Sequence, residues 1–491
     1  MLFDLDGRGP RYAQLTRAIL RAVSTGVLPP GTRLPPTRRL AADLECSRNI
    51  VLLAYEQLAL EGYLIARPRA GTFVSADLAP PPRDAHARRA ASRTRLPTLP
   101  PQGRRLVDAA ERAWTITRRT RRYAIDFMYG QCEPDARIVA QLRRGFARVL
   151  RDRFAFAYGP PAGDERLRAE VAQRLRGTRG IVRSADQIVI TNGAQQALDI
   201  CARLLLSAGD RALVEDPGYE AARAAFQSAG ADVIPIRVDA EGIDPSALPR
   251  AASRARIVYV TPSHQFPTGA ILSAARRHRL RAWARTRGVY VLEDDYDGEL
   301  RYQGQPIKAL AGLDDAGGDD DGVIYCGTFA KSLFPSVRLG YLALPKPLVR
   351  AFVNAKWLTD RGSSPLVQRL VSELMATGEY DRHIRRMLRR YAARRDTLTR
   401  GLERHLGSRV RIAGDGSGMH LVAWFPALGP RTIDRLVQAC ADLDVGVYSI
   451  ARHAITPLES AGLILGYGLV DEGAIETGAR KLADAYASIR R

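Results

Sequence analysis

Gly327-Thr328-Phe329-Ala330-Lys331-Ser332, with Arg338-Leu339-Gly340-Tyr341 close behind, decides how most of this chain reads. The segment ends a run of β-formers over 323–327, so Lys331 falls in a loop above a sheet. A lysine there can condense with an aldehyde cofactor, because its amine, unlike a guanidinium, can give up its proton. Thr328 and Arg338 flank it, and both can hold a phosphate. Lysine usage sharpens the point. Of 74 basic residues only five are lysines: Lys308, Lys331, Lys346, Lys356 and Lys481. Where either cation serves, this sequence mostly writes Arg.

Pyridoxal 5′-phosphate (PLP) makes further demands. It needs a carboxylate at its pyridine nitrogen. Val291-Leu292-Glu293-Asp294-Asp295-Tyr296 supplies acids at the C-terminal end of a strand, where ligands of α/β sheets bind, and Tyr296 can reach the phenolic oxygen. It needs a phosphate cradle. Ile190-Thr191-Asn192-Gly193-Ala194-Gln195-Gln196 is a strand, a glycine and a helix start, which offers free N–H groups. In Asp216-Pro217-Gly218-Tyr219, Tyr219 can stack on the ring. Each piece alone is common, and acids at strand ends are more often caps or ion pairs. The four in this order are far more specific.

Around these pieces, strands alternate with helices from Tyr123 onward: strands at 187–191, 211–215, 256–261, 289–294, 323–327 and 338–344. Alternation predicts a mainly parallel sheet covered by helices. Residues 380–491 read as a smaller α+β subdomain. Ahead of this body, residues 10–26 have Leu15, Ile19 and Val23 on one helical face. A second helix is expected at 37–44, and a third from the cap Ser47 to Glu61, stopped by Gly62. Two β runs, Tyr63-Leu64-Ile65 and Thr72-Phe73-Val74, follow. Three helices and a hairpin make a winged helix-turn-helix over 1–75. Residues 76–122, with twelve Arg and the prolines Pro80-Pro81-Pro82, Pro97 and Pro100-Pro101, read as a linker to a body at 123–491.

Charge agrees with that division. The 491 residues carry +22, and 12 of those charges lie in residues 1–122, where 22 Lys/Arg face 10 Asp/Glu. A basic N-terminal quarter fits a polyanion, although charge alone does not separate this from an Arg-rich solvated surface. The five cysteines are scattered with no CxxC pair, which argues for reduced thiols in a cytoplasm and against a metal site. Mean hydropathy is −0.19, and neither a signal peptide nor a membrane span is read.

Two families are resembled. The body is similar to fold-type I PLP enzymes of the aminotransferase class over essentially all of 123–491. The resemblance implies Lys331 as the covalent anchor of PLP and Asp294 at the pyridine nitrogen. It implies Tyr296 at the phenolic oxygen, Tyr219 over the ring, and Ala194, Gln195, Thr328 and Arg338 at the phosphate. Tyr158, in Tyr158-Gly159-Pro160-Pro161-Ala162-Gly163, resembles the tyrosine that such dimers lend to the neighbour's phosphate. Gly31-Thr32-Arg33-Leu34-Pro35-Pro36-Thr37-Arg38, Ser47-Arg48-Asn49-Ile50-Val51 and Glu61-Gly62-Tyr63 resemble the GntR-type winged helix. The fusion is that of the MocR/GabR subfamily, to which 261–269 and 293–297 are also similar. It implies a homodimer on double-stranded DNA that senses PLP, an amino-compound effector, or both. Arg48 and Asn49 then meet base edges, Ser47 caps or touches phosphate, Arg38 and Arg39 lie near the backbone, and Arg69, Gly71 and Thr72 form the wing tip.

Two departures bear on chemistry. Phe266 stands where aminotransferases often carry an Asn on the phenolic oxygen. His264 is a candidate to replace it, and equally a structural histidine. Ile464 stands where an Arg usually grips the substrate carboxylate, so either Arg452 substitutes or no ordinary α-amino acid is held. Three functions compete: a PLP-responsive regulator, an aminotransferase with an accessory domain, and a DNA-binding protein with an inert body. Only the first uses every feature.

Overall fold

The computed structural model describes residues 3–78, 98–117, 121–152, 156–302, 306–313, 322–429 and 432–489, without the side chains of 114–117. Of the linker expected at 76–122, residues 79–97 and 118–120 lie outside the described residues. The chain divides into two units, 1–98 and 99–491.

In the first unit, helices Arg11–Ser24, Thr37–Asp43 and Arg48–Leu60 precede an antiparallel pair, Leu64–Arg67 with Gly71–Val74. The apolar stripe read from the sequence is the buried one: Leu15, Ile19 and Val23 pack with Leu34, Leu40, Val51, Leu58, Leu64 and Val74. Tyr55 Oη donates to Pro35 O at 2.9 Å and ties the third helix to the turn before the second.

The second unit opens differently from expectation. Pro101–Thr117, inside the expected linker, is a helix that packs on the helix Glu220–Ser228. Beyond it lies an eight-stranded sheet in the order 188–191, 340–343, 323–328, 290–295, 255–260, 211–216, 232–239, 242–243. The four pairings in the middle of that order, from 323–328 to 232–239, are parallel. Strand Gly340–Ala343 runs antiparallel to both neighbours. Strands such as Ile188–Thr191 and Tyr290–Asp295 are buried almost throughout, as a sheet covered on both faces requires. The smaller subdomain is a four-stranded antiparallel sheet, 411–413, 420–425, 461–466 and 448–449, with helices Glu379–Leu406, Ile433–Asp442 and Glu472–Ile489. Ile125–Asp126, far upstream, pairs with Val445–Gly446 and joins this subdomain.

An ion pair at the C-terminal end of strand Tyr290–Asp295 is buried. Arg179 Nε meets Asp295 Oδ2 at 2.6 Å, with 4% and 1% of the side chains exposed, and Tyr325 Oη donates to the same oxygen at 2.6 Å. Removing one member leaves an uncompensated buried charge. Arg179→Met should therefore cost about 3–5 kcal/mol in urea unfolding, while Arg179→Met with Asp295→Leu should recover most of it. A single variant as stable as wild type would show the pair to be inconsequential.

Candidate functional site

Three successive acids at the end of strand Tyr290–Asp295 have three different tasks. Strand alternation sets Glu293 and Asp295 on one face and Asp294 on the other. Glu293 accepts from the backbone N–H of Leu310 at 2.9 Å and of Ala311 at 3.2 Å, and Asp295 pairs with Arg179. Asp294 accepts from Tyr259 Oη at 2.8 Å through Oδ2, while its Oδ1 is buried with no partner. Burial, against the Tyr259 hydrogen bond, pushes this carboxyl up to about 7.

Lys331 follows the neighbouring strand Val323–Thr328 and donates from Nζ to Gly130 O at 2.5 Å. Burial lowers its pKa and favours the neutral, nucleophilic amine. Gly130, at φ +71°, leaves room for it, since a Cβ there would lie 3.1 Å from Nζ. Across the sheet, Gly193 precedes the helix Ala194–Leu205, whose first amides, on Ala194 and Gln195, have no intrahelical partner. Arg338 reaches the same turn, with Nη2 donating to Asn192 O at 3.3 Å. Its side chain has no carboxylate within ion-pair distance among the described residues. Thr328 Oγ1 accepts from Ala330 N at 3.1 Å. The close approach of the two loops needs Gly340, where a Cβ would stand 3.0 Å from the Gly193 carbonyl carbon.

Aromatic rings crowd the adjoining face. Tyr219 and Tyr296 both pack edge-on against Phe266, with centroids 5.7 and 6.0 Å away. His264 is spoken for at both nitrogens: Nδ1 lies 2.7 Å from Asp297 Oδ2 and 3.1 Å from Tyr296 Oη, and Nε2 lies 3.1 Å from Gly414 O. Burial opposes charge on this ring, but Asp297 outweighs it and raises the pKa. His264 thus orients Tyr296. His264, Asp297 and His420 are close enough to share a cation, yet His264 and Asp297 are already joined by a hydrogen bond; burial drops His420 to about 3, which keeps its ring neutral. Ile464 packs with Val422 and Ile450 against Tyr129 and Trp424; Arg411 lies over the Trp424 ring at 5.8 Å, and the charge of Arg452 acts on Tyr129. Arg452 is exposed and lines a separate cleft with Asp434 and Gln438. Tyr158 is 89% exposed, with Arg361 over its ring at 5.6 Å.

On the first unit, Arg38, Arg39, Ser47, Arg48, Asn49 and Arg69 are all exposed. Ser47 occupies the cap position of helix Arg48–Leu60, but its hydroxyl makes no capping hydrogen bond. Arg48 Nε donates to Thr37 Oγ1 at 3.4 Å, so the starts of the two helices stand side by side. The wing turns through Arg69 at φ +61° and Gly71 at φ +110°. A Cβ on Gly71 would meet Arg33 Nε at 3.0 Å, which adds Arg33 to this basic corner, while Thr72 is half-buried.

Residues 11–74 match the family of bacterial regulatory proteins called gntR, and residues 125–456 match aminotransferase class I and II. The probable rhizopine catabolism regulatory protein MocR of Rhizobium meliloti is 34% identical, over 100% of this chain and 96% of that protein. The HTH-type transcriptional regulator TauR of Rhodobacter capsulatus is 35% identical, over 86% of this chain and 85% of its own. The body is similar to the α-aminoadipate aminotransferase LysN of Thermus thermophilus, solved with N-(5′-phosphopyridoxyl)-L-leucine. That similarity has a TM-score of 0.69 and 28% identity, covering 78% of this chain and 97% of that one. The chain belongs to the MocR/GabR subfamily of GntR-type transcriptional regulators. It is a regulator with a winged helix-turn-helix and a body of the fold used by PLP-dependent aminotransferases.

Several residues that shape the cleft of this MocR/GabR-type regulator have no local signal in its sequence. Tyr259 lies 35 residues from the Asp294 it binds. Tyr129 Oη lies 2.9 Å from His453 Nε2 across 324 residues, and His453 Nδ1 lies 2.7 Å from Glu220 Oε2. The raised Asp294 pKa has a measurable cost. Between about pH 4 and 7 the folded, cofactor-free protein holds a proton there that the unfolded chain has released, so stability falls as pH rises through that window. Asp294→Asn should remove up to about 4 kcal/mol of that loss, read as a shallower pH dependence of urea unfolding. Equal slopes in both proteins would show that Asp294 titrates normally.

Proposed function

We propose that this regulator binds PLP on Lys331 and that the state of the cofactor sets its behaviour on DNA. Asp294 carries the reading: like Asp295 it keeps one buried oxygen without a partner among the described residues, but where Asp295 has Arg179 it has only the Tyr259 hydroxyl. A buried carboxylate oxygen without a donor costs about 1–3 kcal/mol or more, and a protonated pyridine nitrogen is the donor that relieves it. Bound PLP supplies an aldehyde open to amines and an electron-withdrawing ring. The protein supplies the rest. Asp294 holds the proton on the ring nitrogen, and Tyr219 stacks on the ring. His264 keeps Tyr296 turned toward the phenolic oxygen. The amides of Ala194 and Gln195, the Thr328 hydroxyl and the exposed Arg338 guanidinium take the phosphate. Burial of Lys331 lowers its pKa, which favours the neutral amine.

Two further elements belong to the proposal. Tyr158 reaches a neighbour's phosphate in a homodimer; the exposed Phe156, Tyr158, Trp357 and Leu358, at 68, 89, 46 and 75%, are the face such a dimer covers. The effector is PLP itself or an amine that reacts with it. Ile464 itself offers an ordinary α-carboxylate no charge, which favours sensing over turnover. The aminotransferase reading has the fold in its favour, but it assigns no role to the exposed basic residues of the first unit.

The protein as purified should absorb visible light. Borohydride reduction followed by peptide mapping should place the cofactor on Lys331, and the same sample should sediment as a dimer. Label on another lysine, or none, would refute the anchor, and a stable PLP-loaded monomer would refute the role of Tyr158.

DNA binding separates two kinds of contact. Arg48 and Asn49 begin the helix that enters the major groove in this motif. Arg48→Ala should cost about 1–3 kcal/mol at one base position and relax preference, with the PLP spectrum unchanged. Arg69→Ala should weaken binding to native and scrambled DNA alike and flatten the salt dependence. Gel shifts across salt on the protein's own upstream region distinguish the two, and an Arg48→Ala protein as selective as wild type would overturn the assignment.

A further inference from the structure

The helix Pro101–Thr117 turns Arg105, Ala109 and Arg112 toward helix Glu220–Ser228, at the spacing that keeps residues on one face. Ala109 is 1% exposed, Arg105 Nε would lie 3.4 Å from a Cβ on Gly230, and Arg112 Nη2 donates to Gln227 Oε1 at 3.5 Å. Between the helices is a cleft of about 190 Å³ lined by Ala109, Arg112, Glu220, Arg223, Gln227 and Ile455. That is ample for a small polyatomic ion.

Its charge is unbalanced. Arg112 and Arg223 converge on the cleft. Burial lowers the pKa of Arg223, and the charge of Arg112 lowers it further, against Glu220 and Asp216. Both of those acids have other work. Glu220 Oε2 is 2.7 Å from His453 Nδ1, and Asp216 accepts from Ile455 N at 2.7 Å and from Thr456 N and Oγ1 at 2.9 and 2.5 Å. Among the described residues no carboxylate stands within ion-pair distance of Arg112 or Arg223. Two guanidiniums facing each other across a part-buried space repel, and their planar forks suit a carboxylate or phosphate placed between them.

We propose that this cleft is a binding site for a small oxyanion, a carboxylate or phosphate group clamped by Arg112 and Arg223. Such an ion replaces a repulsion with charge-assisted hydrogen bonds to both helices. One of those helices begins directly after Tyr219. Its Glu220 connects through His453 and Tyr129 to the Gly130 carbonyl that receives Lys331. The other lies within the expected linker, toward its C-terminal end. Occupancy therefore fastens the end of the linker to the elements that frame the lysine. The site goes beyond the PLP reading and does not depend on it.

Isothermal titration of the full chain, saturated with PLP, with inorganic phosphate and separately with succinate, each against sodium chloride of equal ionic strength, tests the proposal. Wild type should bind at least one of them, and which one identifies the source of the anion. Arg112→Gln and Arg223→Gln should each lose about ten-fold or more in affinity. Arg104→Gln, whose exposed guanidinium bonds Leu99 O at 2.7 Å outside the cleft, should bind as wild type. Phosphate taken up instead at the Arg338 turn would persist in the Arg112 and Arg223 variants. Heats no greater than those of chloride, or an Arg112→Gln protein that binds like wild type, would overturn the site. Because Arg112 is exposed, its variant decides the question even if Arg223→Gln fails to fold.

Discussion

A carboxylate taken out of water must be compensated, and the acids that end strand Tyr290–Asp295 are compensated unequally: Asp294 and Asp295 each keep one oxygen without a partner among the described residues, but only Asp295 has a cation. Glu293 and Asp295 find backbone amides and Arg179 on one face of their strand. Asp294, on the other face, finds only Tyr259. Register does the rest. Asp294 stands beside Cys326 and Asp295 beside Gly327 on the parallel neighbour, so the loop bearing Lys331 emerges at the same edge. The strand Gly340–Ala343 runs the other way and sets Gly340 beside Thr191, which returns Arg338 to the turn at Gly193. Asp294, Lys331 and the turn at Gly193 come to one end of the sheet because one strand in that neighbourhood is reversed.

Much of this was legible because its signals are local. The buried parallel strands are short apolar runs, and the glycine before Ala194 and the acids after Leu292 sit at strand ends, where sheets of this type bind ligands. The rarity of lysine reduced the choice of anchor to five positions. What could not be read depends on distant pairing. Tyr259, Tyr129, His453 and Glu220 look like ordinary core and surface residues until the fold joins them, and Ile125–Asp126 gives no sign that it will pair with residues 320 positions later. The helix Pro101–Thr117 was hidden for another reason. It is rich in Arg beside two prolines, and it meets its partner through alanine and arginine stems, which leave no strong apolar stripe to recognise.

His264 shows how a local reading can be right in type and incomplete in role. With Phe266 in place of the usual Asn, a nearby polar side chain was needed at the phenolic oxygen, and His264 was one candidate. Its two nitrogens instead hold Asp297, Tyr296 and Gly414, which leaves Tyr296 as the group it positions. Ser47 is the converse: it has the right place for a cap but forms no capping bond.

The proposed sensing of an amine without turnover fits what a protein loses most cheaply. Covalent capture of an amine needs a deprotonated lysine and a held cofactor, and those demands are met by burial and by groups at strand ends that the fold supplies anyway. Turnover needs more: a grip that keeps each substrate carboxylate in one orientation while protons move. Here the strand Ala461–Gly466 places Ile464 between Val422 and Tyr448, and the surrounding side chains close an apolar cluster. An arginine at that position would have to bury its charge among them without a carboxylate whenever no effector was present, at a cost of several kcal/mol. An enzyme saturated with substrate can bear that cost. For the proposed sensing role, in which the protein must stay folded with the site empty, isoleucine avoids that cost.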